Sequence, residues 1–387
     1  MEDWALEVLD TREMQRLRRI RQLGTAFLVY PGANHTRFEH ALGAYKLAGD
    51  ASRALGLTPD DSLHVQAAAL LHDVGHGPLS HLFEEVVPGQ KHEEFSVDLV
   101  QWSGLNDLLK RAGMDAKRVA TLLKGKGEHG SIVSGDIDVD RMDYLVRDAH
   151  YTGLRVSVDP ERLLSVMTLR DGEFLLREEG VTACESLLVA RFLMYPSVYF
   201  HHTCRAGESM LVRAAQDLLE NGYKYDSLRI MDDNEFFSAL KQGSRYARDV
   251  AERIDDRRLF KRAFEGTHRR VQGDEFLTRL VKDPAERARV ERELADAAGV
   301  NDGYVLVDVP APPLVREVEA KVLGKDDRVL PLREASTLVR TLVAAQMDHW
   351  KFWVFAPKES LPNVTRAFER MLSPQKVKHV PTMGAGS

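Results

Sequence analysis

Cysteine is almost missing from this chain: among 387 residues only Cys184 and Cys204 occur. They form no CxxC pair and no other metal or redox spacing, so a disulfide framework and a thiolate metal centre are excluded, and both thiols are expected to be reduced and buried. An excess of positive charge is missing too. With 53 Lys+Arg against 59 Asp+Glu the net charge is -6, which argues against broad nucleic-acid binding and leaves room only for a local basic groove. Met1-Glu2-Asp3-Trp4 lacks the basic and then apolar character of a signal peptide. No apolar run approaches the ~20 residues that a membrane span needs, so no membrane partner is expected and the expected location is cytoplasmic. Repeats and low-complexity tracts are absent. The rest has the composition of an ordinary globular protein, long enough for one large domain or two smaller ones.

Histidine, in contrast, is concentrated. Half of the 14 histidines fall between His35 and His92. At the centre of that interval lies Leu70-Leu71-His72-Asp73-Val74-Gly75-His76-Gly77-Pro78-Leu79-Ser80-His81. An imidazole beside a carboxylate is a ligand pair for a borderline divalent ion such as Mn, Fe, Co or Zn. The histidines that follow can act as acid, base or phosphate partner near neutral pH. A lone His at a helix end would be read as a surface residue; this density points to a site.

The elements around it are read from their ends. Thr58-Pro59-Asp60-Asp61 predicts a helix start, with an N-cap, a proline in the first turn and early acidic residues. That helix is expected to stop at Gly75 through a left-handed cap. Asp159-Pro160-Glu161 starts another helix. Apolar runs between Met167 and Leu176 flank Asp171-Gly172, a hairpin signal. A long helix is expected from near Thr182 to about Glu220, interrupted or kinked at Pro196. Further on, Asp283-Pro284 opens a charged helix ending at Gly299, while Val305–Val309 and Phe352–Phe355 read as strands. The expected architecture is mainly α, with a helical core over 1–222 that carries the short hairpin, a smaller C-terminal α/β portion over 223–378, and a flexible tail over 379–387. His201-His202 and His349-Trp350 are read as packed structural residues.

Two ligands do not complete a metal site. His40 sits early in the helix opened by Asn34-His35-Thr36-Arg37-Phe38-Glu39, and Asp136, Asp138, Asp140 and Asp143 crowd a later segment. Helical spacing places Asp140, Asp143 and Tyr144 on one face, but no spacing rule selects the ligand among the four carboxylates.

Four segments in order carry a resemblance: Gln15–Gly24, His35–His40, Leu70–His81, and Asp138-Val139-Asp140-Arg141-Met142-Asp143-Tyr144-Leu145-Val146-Arg147-Asp148. Over about residues 9–210 the chain resembles the HD-domain phosphohydrolases, and within them the deoxynucleoside triphosphate triphosphohydrolases of the sterile-alpha-motif-and-HD-domain type and their bacterial relatives. The resemblance implies hydrolysis of dNTPs to deoxynucleoside and inorganic triphosphate. It implies one divalent ion (Mn, Fe, Mg, Co, Ni or Zn) on His40, His72, Asp73 and Asp140. His76, His81, His92 and Glu93 match the groups beside the phosphates, with His76, nearest in chain to the ligands, favoured as general acid. Arg37 matches a phosphate contact; Gln22 and Leu23 match residues that read the deoxyribose. Arg141, Asp143, Tyr144, Asp148, Arg191, Tyr195 and Tyr199 match the nucleotide pocket, although Arg141 replaces a common lysine and Tyr195 an expected histidine. Asp10, Gln15 and Arg18 match residues that grip an activating guanine nucleotide between subunits, which implies a homo-oligomer, dimer or tetramer. The rival readings are an HD-fold 5′-nucleotidase or nuclease acting on another phosphoester, and a nucleotide-sensing regulatory protein.

Overall fold

A computed structural model describes residues 1–170, 173–272, 274–311 and 319–372. The chain divides into two compact units: one comprises Met1–Leu259 with Ala311–Trp350, the other Phe260–Pro310 with the segment from Lys351 onward. The boundary expected at residue 222 is therefore displaced. Residues 223–259 and 311–350 belong with the helical unit, because their side chains and strands complete it. The tail expected over 379–387 lies outside the described residues.

In the first unit, the short helix α1 (Arg12–Arg16) begins at Thr11, whose side chain accepts the Met14 N–H. Helix α2 (Arg37–Leu55) starts where the Glu39 carboxylate accepts the Thr36 backbone N–H at 2.6 Å and ends at Gly56 with φ +66°. Helix α3 (Pro59–Leu71) starts as expected, Thr58 Oγ1 accepting the Asp61 N–H at 3.1 Å. These two helices pack on each other, and both bury small side chains, Ala41, Ala44, Ala48 and Ala51 on α2 and Ala67, Ala68 and Ala69 on α3. Small residues let two backbones approach, so that ligands on each can meet. Next come α4 (His92–Trp102) and α5 (Val139–Thr152), the latter capped by Asp138 and packed against α2.

The end of α3 departs from expectation. Gly75 takes no left-handed cap; the positive φ values come later, at Leu79 (58°) and Ser80 (61°). Glycine is required at 75 for another reason: a Cβ there would lie 2.4 Å from Ser96 N and 2.5 Å from His92 O on α4.

Strands β1 (Met167–Arg170) and β2 (Glu173–Arg177) pair antiparallel, Met167 opposite Leu176; the Asp171-Gly172 turn itself lies outside the described residues. Helix α6 (Val181–Met194) passes into a single π-helical turn, Tyr195–Tyr199, and α7 (His202–Glu220) follows. Pro196 lacks the N–H that an unbroken helix would need, which locates the irregularity. The stretch Glu178–Tyr199 does reach the length and mean hydropathy (1.2) of a membrane span, contrary to the sequence reading. It buries Leu187, Leu188 and Met194 in the core of its unit and carries Arg191. Helix α8 (Asp233–Gln242) opens with a capping box between Asp232 and Glu235.

The second unit is built on a three-stranded antiparallel sheet in which the strand Lys351–Ala356 lies between β3 (Lys261–Thr267) and β4 (Leu306–Asp308). Helix α9 (Pro284–Ala298), closed by left-handed Gly299, belongs to it. Returning to the first unit, β5 (Lys321–Leu323) adds parallel to β2, and β6 (Val329–Pro331) adds antiparallel to β5; α10 (Thr337–His349) packs on α6. The central strand β7 (Lys351–Ala356) and helix α11 (Leu361–Leu372) complete the second unit. Strand β3 escapes a sequence reading because Lys261, Arg262 and Glu265 break its apolar alternation.

Candidate active site

The first turns of α2 and α5 and the end of α3 bring three ligand atoms together. His40 Nε2 lies 3.1 Å from His72 Nε2 and 3.0 Å from Asp140 Oδ1, and His72 Nε2 lies 3.6 Å from the same oxygen. Asp73 closes the group, Oδ2 3.6 Å from His40 Nε2 and Oδ1 3.3 Å from His72 Nε2. Each imidazole is oriented from behind. His40 donates its Nδ1 proton to Asp143 Oδ2 at 2.8 Å, and His72 donates its own to the Ala69 carbonyl at 2.7 Å. Since carboxylates and carbonyls only accept, the neutral rings turn two Nε2 lone pairs toward each other.

Two lone pairs 3.1 Å apart need a cation between them. Burial opposes charge on His40, yet its bonds to Asp140 and Asp143 outweigh that and push its pKa up to about 10. The same carboxylates favour a metal cation between the two rings. The donor set, two imidazoles and two carboxylates, fits a borderline divalent ion. Arg37, at the start of α2, donates from Nη1 to Asp73 Oδ2 at 2.6 Å and from Nε to Ser80 Oγ at 2.8 Å. Its guanidinium thus holds the carboxylate of Asp73. Burial raises the pKa of Asp73, but the charge around it, the Arg37 guanidinium foremost, more than reverses this and keeps it well below the usual carboxylate range.

Asp73 also faces a second cluster. His76 Nε2 is 3.2 Å and His92 Nε2 3.9 Å from its Oδ1. The His76 and His92 rings stack with centroids 3.6 Å apart, and His81 stands edge-on to both at 4.8 and 5.2 Å. The acid of this cluster is Glu84, which accepts from His92 Nδ1 and lies 3.4 Å from His81 Nδ1. Glu93 is exposed on the first turn of α4, so the expected acidic neighbour is replaced by Glu84. The preference for His76 as acid also meets a difficulty. His76 is fully buried, and burial together with the charge of Arg37 lowers its pKa well below the ordinary value, so it is neutral. The His81 side chain is 66% exposed and can exchange protons with a ligand and with water.

The remaining pocket residues form a connected chain. Arg191 donates to Tyr195 Oη at 3.1 Å; the Tyr195 and Tyr199 rings meet edge-on at 5.4 Å; Tyr199 donates to Asp148 Oδ2 at 2.9 Å. Asp148 also accepts from His35 Nε2 at 2.8 Å. Tyr144 stands edge-on to His40 at 6.5 Å. Asp143 orients His40 and accepts from Arg147. Arg141 is tied to its helix cap, Asp138. Gln22 is buried with Oε1 unpaired, and Leu23 packs on the core. Gln15 and Arg18 come together at 3.0 Å, with Arg18 over the Phe38 ring at 3.8 Å, while Asp10 is exposed at the end of the preceding helix.

Several residues passed over in the sequence support the loop after His72. Buried Arg16 donates to the carbonyls of Val74 (3.1 Å) and His76 (2.6 Å), and from its other nitrogen to Met231 O (2.9 Å). Ser96 Oγ accepts from Gly75 N (2.9 Å) and donates to His72 O (2.8 Å). Asp233 accepts the Leu79 N–H at 2.7 Å. No local pattern marks these residues, since each acts on backbone far away in the chain.

Comparison with known proteins agrees with this geometry. The HD domain family matches residues 37–148, and the family described as HD associated region matches residues 158–382. An uncharacterized protein of Methanocaldococcus jannaschii is 33% identical over 367 residues, covering 93% of this chain and 77% of that protein. The deoxynucleoside triphosphate triphosphohydrolase SAMHD1 of Bos taurus is 30% identical over 393 residues, covering 84% of this chain and 65% of its own length, just under two-thirds. A solved phosphohydrolase from Bacteroides thetaiotaomicron superposes with a TM-score of 0.73 at 25% identity, covering 91% of this chain and 95% of that one. A His40–His72–Asp140 group that could hold a metal, a histidine cluster facing the neighbouring Asp73, and family matches over residues 37–148 and 158–382 together place this protein in the HD-domain phosphohydrolase family, in the group that carries an HD-associated region.

Proposed function

We propose that the protein hydrolyses deoxynucleoside triphosphates to deoxynucleoside and inorganic triphosphate. The observation that carries this reading is the sharing of Asp73 between the ligand group and the His76–His81–His92 cluster, which sets metal and proton chemistry side by side. Relatives at about 30% identity that are named as dNTP triphosphohydrolases support the substrate class, as does the run of polar pocket groups Gln22, Asp148 and Tyr199.

When bound, a divalent ion on His40, His72, Asp73 and Asp140 supplies Lewis acidity toward a phosphoryl oxygen. The protein's own groups do the rest. The bond from water oxygen to the α-phosphorus forms, the water's proton passing to solvent, as the bond from that phosphorus to the 5′-oxygen breaks. His81 delivers the proton to the departing 5′-oxygen, and Glu84 fixes the tautomers of His81 and His92. His92 and His76 face the phosphate oxygens, and Arg37 restrains Asp73. Asp10, Gln15 and Arg18 would hold an activating guanine nucleotide in a homo-oligomer; the Arg18 guanidinium over the Phe38 ring beside Gln15 supports that reading.

The test is to incubate Mn-loaded protein with each dNTP, with and without GTP, and to separate the products. Deoxynucleoside and triphosphate in equal amounts are expected. Nucleoside monophosphate with pyrophosphate would sink the triphosphohydrolase reading in favour of another phosphoesterase.

A further inference from the structure

Leu79 and Ser80 are consecutive non-glycine residues with φ near +60°, a conformation that L-residues hold only where the surroundings impose it. Asp233 is prominent among those surroundings. It is 1% exposed, stands at the first position of α8, and accepts two backbone N–H groups, Leu79 at 2.7 Å and Arg21 at 3.0 Å. The Arg21 guanidinium reaches the same oxygen at 3.5 Å. Ser80 fastens the same two segments a second time: its hydroxyl donates to Arg21 O at 2.6 Å and accepts from Arg37 Nε at 2.8 Å. Arg21 precedes Gln22 and Leu23, and Ser80 precedes His81. One buried carboxylate therefore joins the strand of chain that carries Gln22 to the loop that carries His81.

We propose that Asp233, contributed by the HD-associated region, is a positioning residue that holds the Leu79–His81 loop in register with the Arg21–Leu23 segment. Turnover as a readout rests on the phosphohydrolase reading, whereas loop exchange does not. Without Asp233 two buried N–H groups lose their acceptor, and the left-handed pair loses one of the bonds that impose it. His81 then leaves its place relative to Glu84 and His92, while His40 and Asp140 stay anchored on their helices and His72 and Asp73 stay in the turn after α3, held by Ser96 and Arg37. A displacement of about 1 Å at such a group costs on the order of a hundredfold in rate.

Asp233→Ala and the isosteric Asp233→Asn, which keeps an acceptor for Leu79, would be compared with wild type in the full chain. Three quantities are read: Mn stoichiometry, steady-state dNTP hydrolysis, and amide hydrogen exchange of the peptide covering 74–82. Mn stoichiometry is expected to be unchanged in both variants. For Asp233→Ala, kcat falls at least about tenfold and the 74–82 amides exchange at least about tenfold faster; Asp233→Asn recovers part of both. Wild-type exchange in Asp233→Ala, or wild-type kcat with the loop loosened, overturns the proposal. If Asp233→Ala does not fold, Asp233→Asn decides, since wild-type exchange and kcat there also overturn it. Should wild type hydrolyse no dNTP, the function reading fails by itself and loop exchange alone judges Asp233.

Discussion

Asp143 accepts the Nδ1 proton of His40 at 2.8 Å, and this bond decides which nitrogen His40 can offer to a metal. Asp143 is itself held by Arg147, with both guanidinium contacts at 2.8 Å. Removing such a supporting carboxylate typically weakens metal binding about 10–100-fold. Asp143→Ala should therefore lower Mn affinity by that factor in a chelator competition, with activity recovering at high Mn. His40→Ala should remove binding altogether.

Glu84 and Glu93 offer a matched contrast. Glu84 touches His81 and His92, and those two imidazoles hold its pKa far below the ordinary value against the effect of burial. Glu93 is solvent-exposed. Glu84→Gln should reduce kcat on the order of a hundredfold, the scale of a disturbed acid–base group, whereas Glu93→Gln should stay within about twofold. Equal losses in the two variants would restore the sequence-based assignment.

Asp233 links stability to pH. Burial pushes its pKa up to about 6, against its two backbone bonds and Arg21. The folded state then binds more protons than the unfolded chain between about pH 4 and pH 6, so this residue's contribution to stability falls as pH rises through that window. The swing is at most about 3 kcal/mol. Thermal melts of wild type and Asp233→Asn should diverge from pH 4 to 6, wild type losing ground, and run parallel above pH 7. An unchanged difference across the window would show that Asp233 titrates as an ordinary carboxyl.

Gly75→Ala brings a methyl group to 2.4 Å from Ser96 N and 2.5 Å from His92 O. The backbone of α4 has to move to admit it, at a cost of about 1–3 kcal/mol or more. The denaturant midpoint should drop accordingly. Because the displaced turn carries His92, kcat should fall as well, which separates this change from a remote cavity or overpacking mutation.

How much of this was legible from residues alone depends on how far each interaction reaches along the chain. His72, Asp73 and the ends of α3 are local, and a reader of the sequence finds them. His40 and Asp140 required a resemblance, because helical spacing leaves Asp136, Asp138, Asp140 and Asp143 equivalent. The resemblance points to Glu93, yet adjacent helical residues point about 100° apart, and Glu84, eight residues before His92, is the carboxylate that contacts it. The change of character near residue 223 is genuine in composition, but Met231 O and Asp233 bind Arg16 and Leu79 of the loop after His72, so the unit extends to Leu259. Bonds from a side chain to distant backbone leave no periodic trace.

The parallel pairing of β2 with β5 has a consequence in time. Arg177 meets Leu323, and Leu176 meets Val322, so β2 emerges from the ribosome about 145 residues before its neighbour. At synthesis rates of ~5–20 residues per second the nascent chain waits roughly 7–30 seconds with that edge unpaired. An open edge of Phe174-Leu175-Leu176 invites pairing with other chains. During that interval one sheet edge of the helical unit stays uncovered, however early its metal ligands have been made.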